Sequence, residues 1–311
     1  MSLVNIGGMP WFNQAAYRTT FMEAYDKAIA KAKPLLDVYD ELYEQENTTD
    51  PTVYNSIMSA PPAMRPMKAS HPHVGFTEQG MSVETIEYKA EFSLSRRQLE
   101  STRGQVLFQR ALNSVAAKAA RFKADLIMDL IMGNAVCHDG LTYFNAAHVF
   151  EKSGAQSNTA TTAFAAGAGY AVELPNFMAI ADSQNQTIGT QPNVVIGALP
   201  LYPAMMVYFN PNQVWFERSG TAAGAMPITE MTKVAPIVRT VNNTPSATEW
   251  YMFQTEAGVK PFIIYQTEDP HVEVTSQDAD MWKREHILMV MAKWTGIASY
   301  GPWFLAYRAN T

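Results

Sequence analysis

Cysteine is all but missing from this chain of 311 residues. Cys137 stands alone, so an internal disulfide is excluded and no cysteine framework for zinc exists. Folding in a reducing cytoplasm is the expectation. Long apolar runs are missing as well: nowhere do 18 apolar residues follow one another, and Met1 to Gly8 lacks the basic start and apolar run of a secretion signal. Neither membrane insertion nor secretion by that route is expected, and the sequons at Asn47 and Asn242 read as chance matches. Charge is sparse, at 17% of residues. Its balance of -6, with a pI near 5.6, argues against a dedicated DNA-binding domain, because neutralising phosphates takes a clustered basic surface. No G-x-x-x-x-G-K-[ST] phosphate loop, no H-E-x-x-H and no G-x-S-x-G occurs. Gly167-Ala168-Gly169 begins like a dinucleotide loop but lacks the third glycine and a strong preceding strand.

What is present is apolar surface. Hydrophobic residues make up 47% of the chain, which fits a sizeable core or burial against further copies, and the length has room for about two domains. Between Thr85 and Ser95 polar residues alternate with Ile86, Tyr88, Ala90, Phe92 and Leu94, the period of a strand with one buried face. Ser95 and Gln98 form a candidate capping box. Beyond Gly104, Phe108, Leu112, Val115, Ala119, Phe122, Leu126 and Leu130 recur every three or four residues. They predict a helix from Gln105 to Met132, roughly 42 Å long, closed by a left-handed cap at Gly133-Asn134. Such a helix resembles a structural spine.

Trp11 to Lys33 predicts an amphipathic helix that Pro34 stops, with Thr19, Met22, Tyr25, Ile29 and Ala32 on its apolar stripe. Asn47 to Pro72 reads as an extended arm or loop. Lys68 to Leu94 reads as a long hairpin that turns at Glu78-Gln79-Gly80. Glu151 to Gly169 reads as a mobile linker or a loop leading to another layer, with a domain boundary near Ala160. Helices are expected from Leu174 to Asp182 and from Pro200 to Phe209. Strands are expected at Val194–Ala198, Val234–Val241, Glu249–Thr255, Phe262–Gln266, His271–Val274 and, centrally placed, His286–Trp294. The aromatic end of the chain, with Trp294, Tyr300, Trp303, Phe304 and Tyr307, is expected to be packed.

Candidate chemistry is thin. Cys137, His138, Asp139 and His148 are metal-ligating types in a spacing that matches no metal motif, so Asp139-Gly140 is read as a turn and His148 as a hydrogen-bonded structural histidine. His71-Pro72-His73 is read as facing solvent or a neighbour, and Asp278 with Glu285 is the kind of acid/base pair a fold can assemble anywhere. No residue is assigned a catalytic, cofactor-binding or metal role.

Three blocks carry a family resemblance: Ala60-Pro61-Pro62-Ala63-Met64-Arg65, the strand and spine ending in Asp139-Gly140 to His148, and Lys260 to Gln266 followed by Gly301-Pro302-Trp303-Phe304-Leu305-Ala306-Tyr307. In order and spacing the chain resembles the major head subunit of Mu-like tailed phages. It departs from that pattern at Val149, Thr267 and Gly296-Ile297-Ala298-Ser299, as a divergent branch would. The resemblance implies an α+β fold of the Hong Kong 97 type: an N-terminal arm over residues 1–65, a projecting E-loop hairpin over 66–91, a peripheral domain with the spine over 92–160, an axial domain over 161–234, and a return to the peripheral domain over 235–311. It implies a major capsid protein without enzymatic activity, cofactor or metal. Made in the host cytoplasm, it would self-assemble as pentamers and hexamers into an icosahedral virion shell around double-stranded DNA, which it would touch without sequence specificity. Its implied partners are a portal, a decoration protein and a scaffold; with no long charged helical region ahead of the arm, that scaffold is expected to be a separate protein. The alternatives are an encapsulin-like compartment shell and, behind it, a hydrolase using Asp139 and His148.

Overall fold

The computed structural model describes residues 14–58, 78–95, 103–150, 153–182, 185–209, 232–237, 240, 244, 246–276 and 286–309. Helix α1 (Gln14–Asp40) runs straight through Pro34, where the sequence predicts a stop. Proline deprives the Ala30 carbonyl of one amide partner, but Leu36, Val38 and Tyr39 beyond it are buried and the Tyr39 hydroxyl donates to the Pro236 carbonyl at 2.6 Å. Packing of the last turns therefore outweighs one lost bond. The buried face passes through Phe21, while Thr19 and Met22 of the expected stripe are exposed.

The spine α2 (Gly104–Gly133) lies within a residue of its expected bounds at each end. Asn134 closes it in the left-handed conformation (φ 43°, ψ 49°), and its N–H donates back to Leu130. Two seams replace the single expected stripe. Phe122 packs edge-on against Tyr88 and Trp294 at ring separations of 4.9 and 5.4 Å, facing a sheet. Ile127, Met128 and Ile131 are fully buried in the same core as Leu36, Val38 and Tyr39 of α1.

That sheet has four strands in the order β1 (Tyr43–Asn47), β11 (Phe262–Ser276), β12 (His286–Tyr300), β4 (Ile86–Ser95). β1 runs parallel to β11 and the other pairings are antiparallel, so β12 is central, as expected. Alternation in β4 is partial: Tyr88 and Phe92 are half-buried under the spine, whereas Ile86 and Ala90 are exposed on an edge strand. The expected hairpin pairing is overturned. β4 pairs with β12, and Glu78-Gln79-Gly80 is strand rather than turn, because β3 (Glu78–Glu84) pairs antiparallel with β2 (Thr52–Met58) in the segment read as an arm or loop. The expected strand at Lys68–Thr77, the capping box and the Ala60–Arg65 block lie outside the described residues.

A second sheet orders β7 (Thr159–Ala160), β13 (Ala306–Ala309), β10 (Trp250–Phe253), β8 (Val194–Gly197) and β9 (Lys233–Pro236). Trp250, Tyr251, Met252, Phe253 and Val194 to Ile196 are wholly buried in it, each large side chain worth about 1.5–3 kcal/mol of burial. β5 (His148–Val149) and β6 (Ala155–Gln156) make a small ribbon. Helix α3 (Ala168–Met178) starts six residues before the expected Leu174 and carries Pro175 in its interior, and α4 (Tyr202–Phe209) matches expectation. The Gly167-Ala168-Gly169 glycines serve packing. The Tyr208 ring lies over Gly167, and a Cβ on Gly169 would meet the Ala163 carbonyl at 2.0 Å.

The mobile-linker reading of Glu151–Gly169 is corrected by one side chain. Asn158 is fully buried; its amide donates to the Tyr143 carbonyl at 2.8 Å and the Trp303 carbonyl at 3.2 Å, while its oxygen accepts the Asn145 N–H at 2.8 Å. Phe164 is buried six residues later. Asn158→Ala is expected to lower unfolding free energy by about 3 kcal/mol, since buried groups lose their partners; a urea denaturation midpoint unchanged from wild type would contradict this anchoring role.

Candidate functional site

Where the spine ends, the chain turns back on itself from Asn134 to His148. The Asn134 side chain clamps this return, accepting the Phe144 N–H at 2.7 Å and donating to the Phe144 carbonyl at 3.2 Å. Within it, Cys137-His138-Asp139-Gly140 forms the expected turn, closed by Gly140 N–H to the Cys137 carbonyl at 3.1 Å with Gly140 at φ 80°. His148 is wholly buried and stacked on the Trp303 indole at 4.3 Å, 5° from coplanar. Its Nδ1 lies 2.5 Å from Asp139 Oδ2 and its Nε2 lies 3.1 Å from the Tyr143 carbonyl. Both ring nitrogens thus face oxygen atoms, a carboxylate on one side and a backbone carbonyl on the other.

Burial alone would raise the Asp139 carboxyl. Hydrogen bonds from His148, from the Cys137 thiol at 3.1 Å and from the Leu141 N–H at 3.1 Å outweigh it and hold the group below the usual carboxylate range. Burial, with Asp139 alongside, pushes the Cys137 thiol up to about 12, which makes it a poor nucleophile. Donor atoms of Cys137, Asp139 and His148 lie within 4.8 Å of one another. The 2.5 Å contact between carboxylate and imidazole, however, is shorter than the roughly 3.3 Å that two ligands on one tetrahedral zinc would keep. The arrangement is a buried hydrogen-bonded clamp. Asp139 and His148 are brought together, but with His148 sealed beneath Trp303 the pair offers no substrate a path. His71, His73, Asp278 and Glu285 lie outside the described residues.

The second feature is the β2–β3 ribbon, paired from Thr52↔Glu84 to Met58↔Glu78 and belonging to neither main sheet. It is tied to the body by Asn55, whose buried amide donates to Ser299 Oγ at 2.7 Å and the Tyr300 carbonyl at 2.8 Å. Tyr54, exposed, lays its ring over Gly80, where an added Cβ would meet ring carbon at 2.5 Å. Neither Asn55 nor Asn158 stands out in the sequence. An isolated polar residue in an arm or a Ser/Thr-rich stretch carries no periodic signal, and its partners are up to 245 residues away.

Residues 78–299 match the family model described as phage capsid protein. The chain belongs to the phage capsid protein family. Its role is that of a major capsid protein, a structural subunit of a phage head and not an enzyme. Solved capsids share its fold at low identity. The capsid of the native GTA particle is 15% identical, with a TM-score of 0.53 over 88% of this chain and 89% of that one. The chain of Gordonia phage Cozz is 8% identical, at 0.53 over 88% and 85%. The bacteriophage JBD30 procapsid is 14% identical, at 0.50 over 94% and 73%. No curated protein matches the sequence. The capsid protein thus has the expected α+β Hong Kong 97-type fold, and the encapsulin-like alternative is not favoured.

His138 supplies a test of this junction. Its ring is buried, both nitrogens have no hydrogen-bond partner among the described residues, and burial, opposed by nearby Asp139, lowers its pKa to about 4. A histidine depressed from an unfolded value near 6.5 binds its proton preferentially in the unfolded chain. Stability should therefore be full above about pH 6.5 and fall as pH drops towards 4. The urea midpoint of wild type should decline between pH 7 and 5, and His138→Leu should flatten that decline; parallel curves would remove His138 as the cause.

Proposed function

We propose that this capsid protein builds an icosahedral head from pentamers and hexamers around double-stranded DNA, with the β2–β3 ribbon as the contact that joins neighbouring subunits. The observation that carries this reading is the ribbon itself. A two-stranded ribbon is marginally stable alone, and this one is held to the body from the middle of β2, through the buried Asn55, with Ile57 packed against the core. Its outer surface is free to meet a neighbouring subunit, and closed symmetric assembly repeats one such contact throughout. The ribbon takes the place of the E-loop, with its described arms at Thr52–Met58 and Glu78–Glu84 rather than beginning at residue 66. The sheet bearing the spine corresponds to the peripheral domain, and β8, β9 and helices α3 and α4, within residues 161–234 or just beside them, to the axial region. Membership of a Mu-like branch, a scaffold, a portal and a decoration protein as partners, and synthesis in the host cytoplasm belong to the same proposal, which rests on the resemblance carried by the three sequence blocks.

Met58 and Glu78 stand directly opposite one another, so an Asn-Gly turn replacing residues 59–77 closes the ribbon without disturbing its register. Wild type co-expressed with its neighbouring genes should give shells in negative-stain images. The shortened variant, lighter by about 2 kDa than the 34.5 kDa chain, should stop at soluble rings of five or six subunits, roughly 160 to 200 kDa by light scattering. Normal shells from the variant would refute the role of the ribbon, and a wild type that remained monomeric with its neighbours would refute the shell.

A further inference from the structure

Among the described residues, thirteen lysine and arginine side chains divide sharply by location. Five pair with carboxylates and two bond neutral oxygens. The other six, Lys27, Lys31, Lys33, Arg103, Arg110 and Lys118, are exposed and make no ion pair among the described residues, and every one of them lies on α1, on α2 or at the α2 N-cap. Helix segments 14–40 and 103–133 together hold nine basic and six acidic residues, whereas the rest of the chain holds 14 basic against 23 acidic. The cations are also ordered. At about 100° per residue, two of these six, Arg103 and Arg110, fall on one line along α2 with Arg121, which shares its charge with Asp125 at 3.9 Å; the line is about 27 Å long and roughly a third of a turn from the sheet-facing Phe108 and Phe122. Beside it runs an open groove of about 470 Å³ between the two helices, lined by Lys27 and Lys31 together with Thr20, Glu23, Gln109 and Asn113.

We propose that the outward surface of the α1–α2 layer docks the phosphate backbone of duplex DNA, and so is the face that a subunit turns towards the packaged genome. This rests on the reading of the chain as a shell subunit around DNA. A row of guanidinium groups spread along about 27 Å suits a ligand that presents a charge every 1.7 Å or so of its axis, and arginine's fork binds phosphate oxygens in pairs. An acidic polypeptide helix would need large apolar anchors at helical spacing. The groove lining offers only Ala24 and Ala28 as apolar residues. Polar side chains and unpaired cations supply attachment without base reading, which fits a container that must accept any sequence.

The test uses the full chain and a labelled 40-base-pair duplex of mixed sequence, with fluorescence anisotropy read across a salt series. Neutralising Lys27, Lys31, Arg103, Arg110 and Lys118 to Gln should weaken binding at least tenfold at about 0.1 M salt and flatten the log–log salt slope by about four, at about 0.9 for each phosphate no longer neutralised. Arg103→Gln with Arg110→Gln should give an intermediate slope, so a folding defect in the larger variant would not decide the matter. Unchanged DNA binding in both variants overturns the proposal. So does tighter binding of wild type to poly-glutamate than to the duplex, which would assign the layer to an acidic protein partner. Shell formation is scored separately in negative stain. Variants that assemble normally but retain less DNA support the assignment, whereas a wild type that forms no shells with its neighbouring genes fails the underlying reading whatever its DNA affinity.

Discussion

One hydroxyl closes the end of the longest helix. The last carbonyls of a helix depend on donors from its cap and from outside it, and Leu130 takes the first of its two from the Asn134 N–H at 3.2 Å. At the spine's carboxyl end the Tyr300 hydroxyl donates to the Leu130 carbonyl at 2.8 Å and accepts the Ala135 N–H at 2.8 Å, from the far end of β12. The backbone carbonyl of the same residue receives Asn55 from the ribbon. Helix end, central strand and the middle of β2 therefore meet at a single side chain and its own peptide group. Displacing the ribbon takes the Asn55 donor from the Tyr300 carbonyl, displacing the helix end takes both partners from the Tyr300 hydroxyl, and displacing the strand breaks all three bonds, where an unmet buried hydrogen bond costs about 1–3 kcal/mol.

Aromatic packing makes that meeting point rigid. Tyr143 stacks on Tyr300 at 4.5 Å and sends its hydroxyl to the Pro261 carbonyl at 2.9 Å, while the Gly301 N–H bonds the same carbonyl at 2.8 Å. A Cβ at Gly301 would lie 2.3 Å from the Lys260 carbonyl, so the start of β11 and the exit from β12 approach as closely as only glycine permits. The return loop, held by Asn134 at one end and the Asp139–His148 clamp at the other, seats Tyr143 in this gap. The polar clamp thus acts through position. It orders a loop whose aromatic residue bridges the two strands.

Much of this is legible in the sequence where a pattern repeats locally. About six turns of regular apolar spacing followed by a residue tolerant of positive φ locate the spine to within a residue, and the wholly apolar β8 and β10 announce buried strands. Partners are illegible. A period of two identifies a strand without naming its neighbour, so the nearest upstream segment looks like the match for β4 although its partner β12 lies some two hundred residues away. Pro34 argues for a helix stop and Pro175 for a helix start by local propensity, and tertiary burial overrides both, since each lies inside its helix. At the junction Asp139 and His148 are visible as residues but their bond is not. Asn158 sits in a run of small polar residues whose composition resembles that of a linker.

Charge shows the same division between sum and arrangement. A net charge of -6 rightly speaks against a dedicated DNA-binding domain, yet it is an average over the whole chain. At physiological ionic strength the field of an exposed charge fades over about 8 Å. A phosphate resting on the helical layer therefore responds to Lys27, Lys31, Arg103 and Arg110 far more than to the carboxylates on distant strands. Acidic residues placed elsewhere keep copies of the subunit from collapsing onto one another or onto free nucleic acid by their other faces. Segregating the two signs lets one acidic chain combine both properties, and the surplus of unpaired cations on a single layer is the physical trace of that compromise.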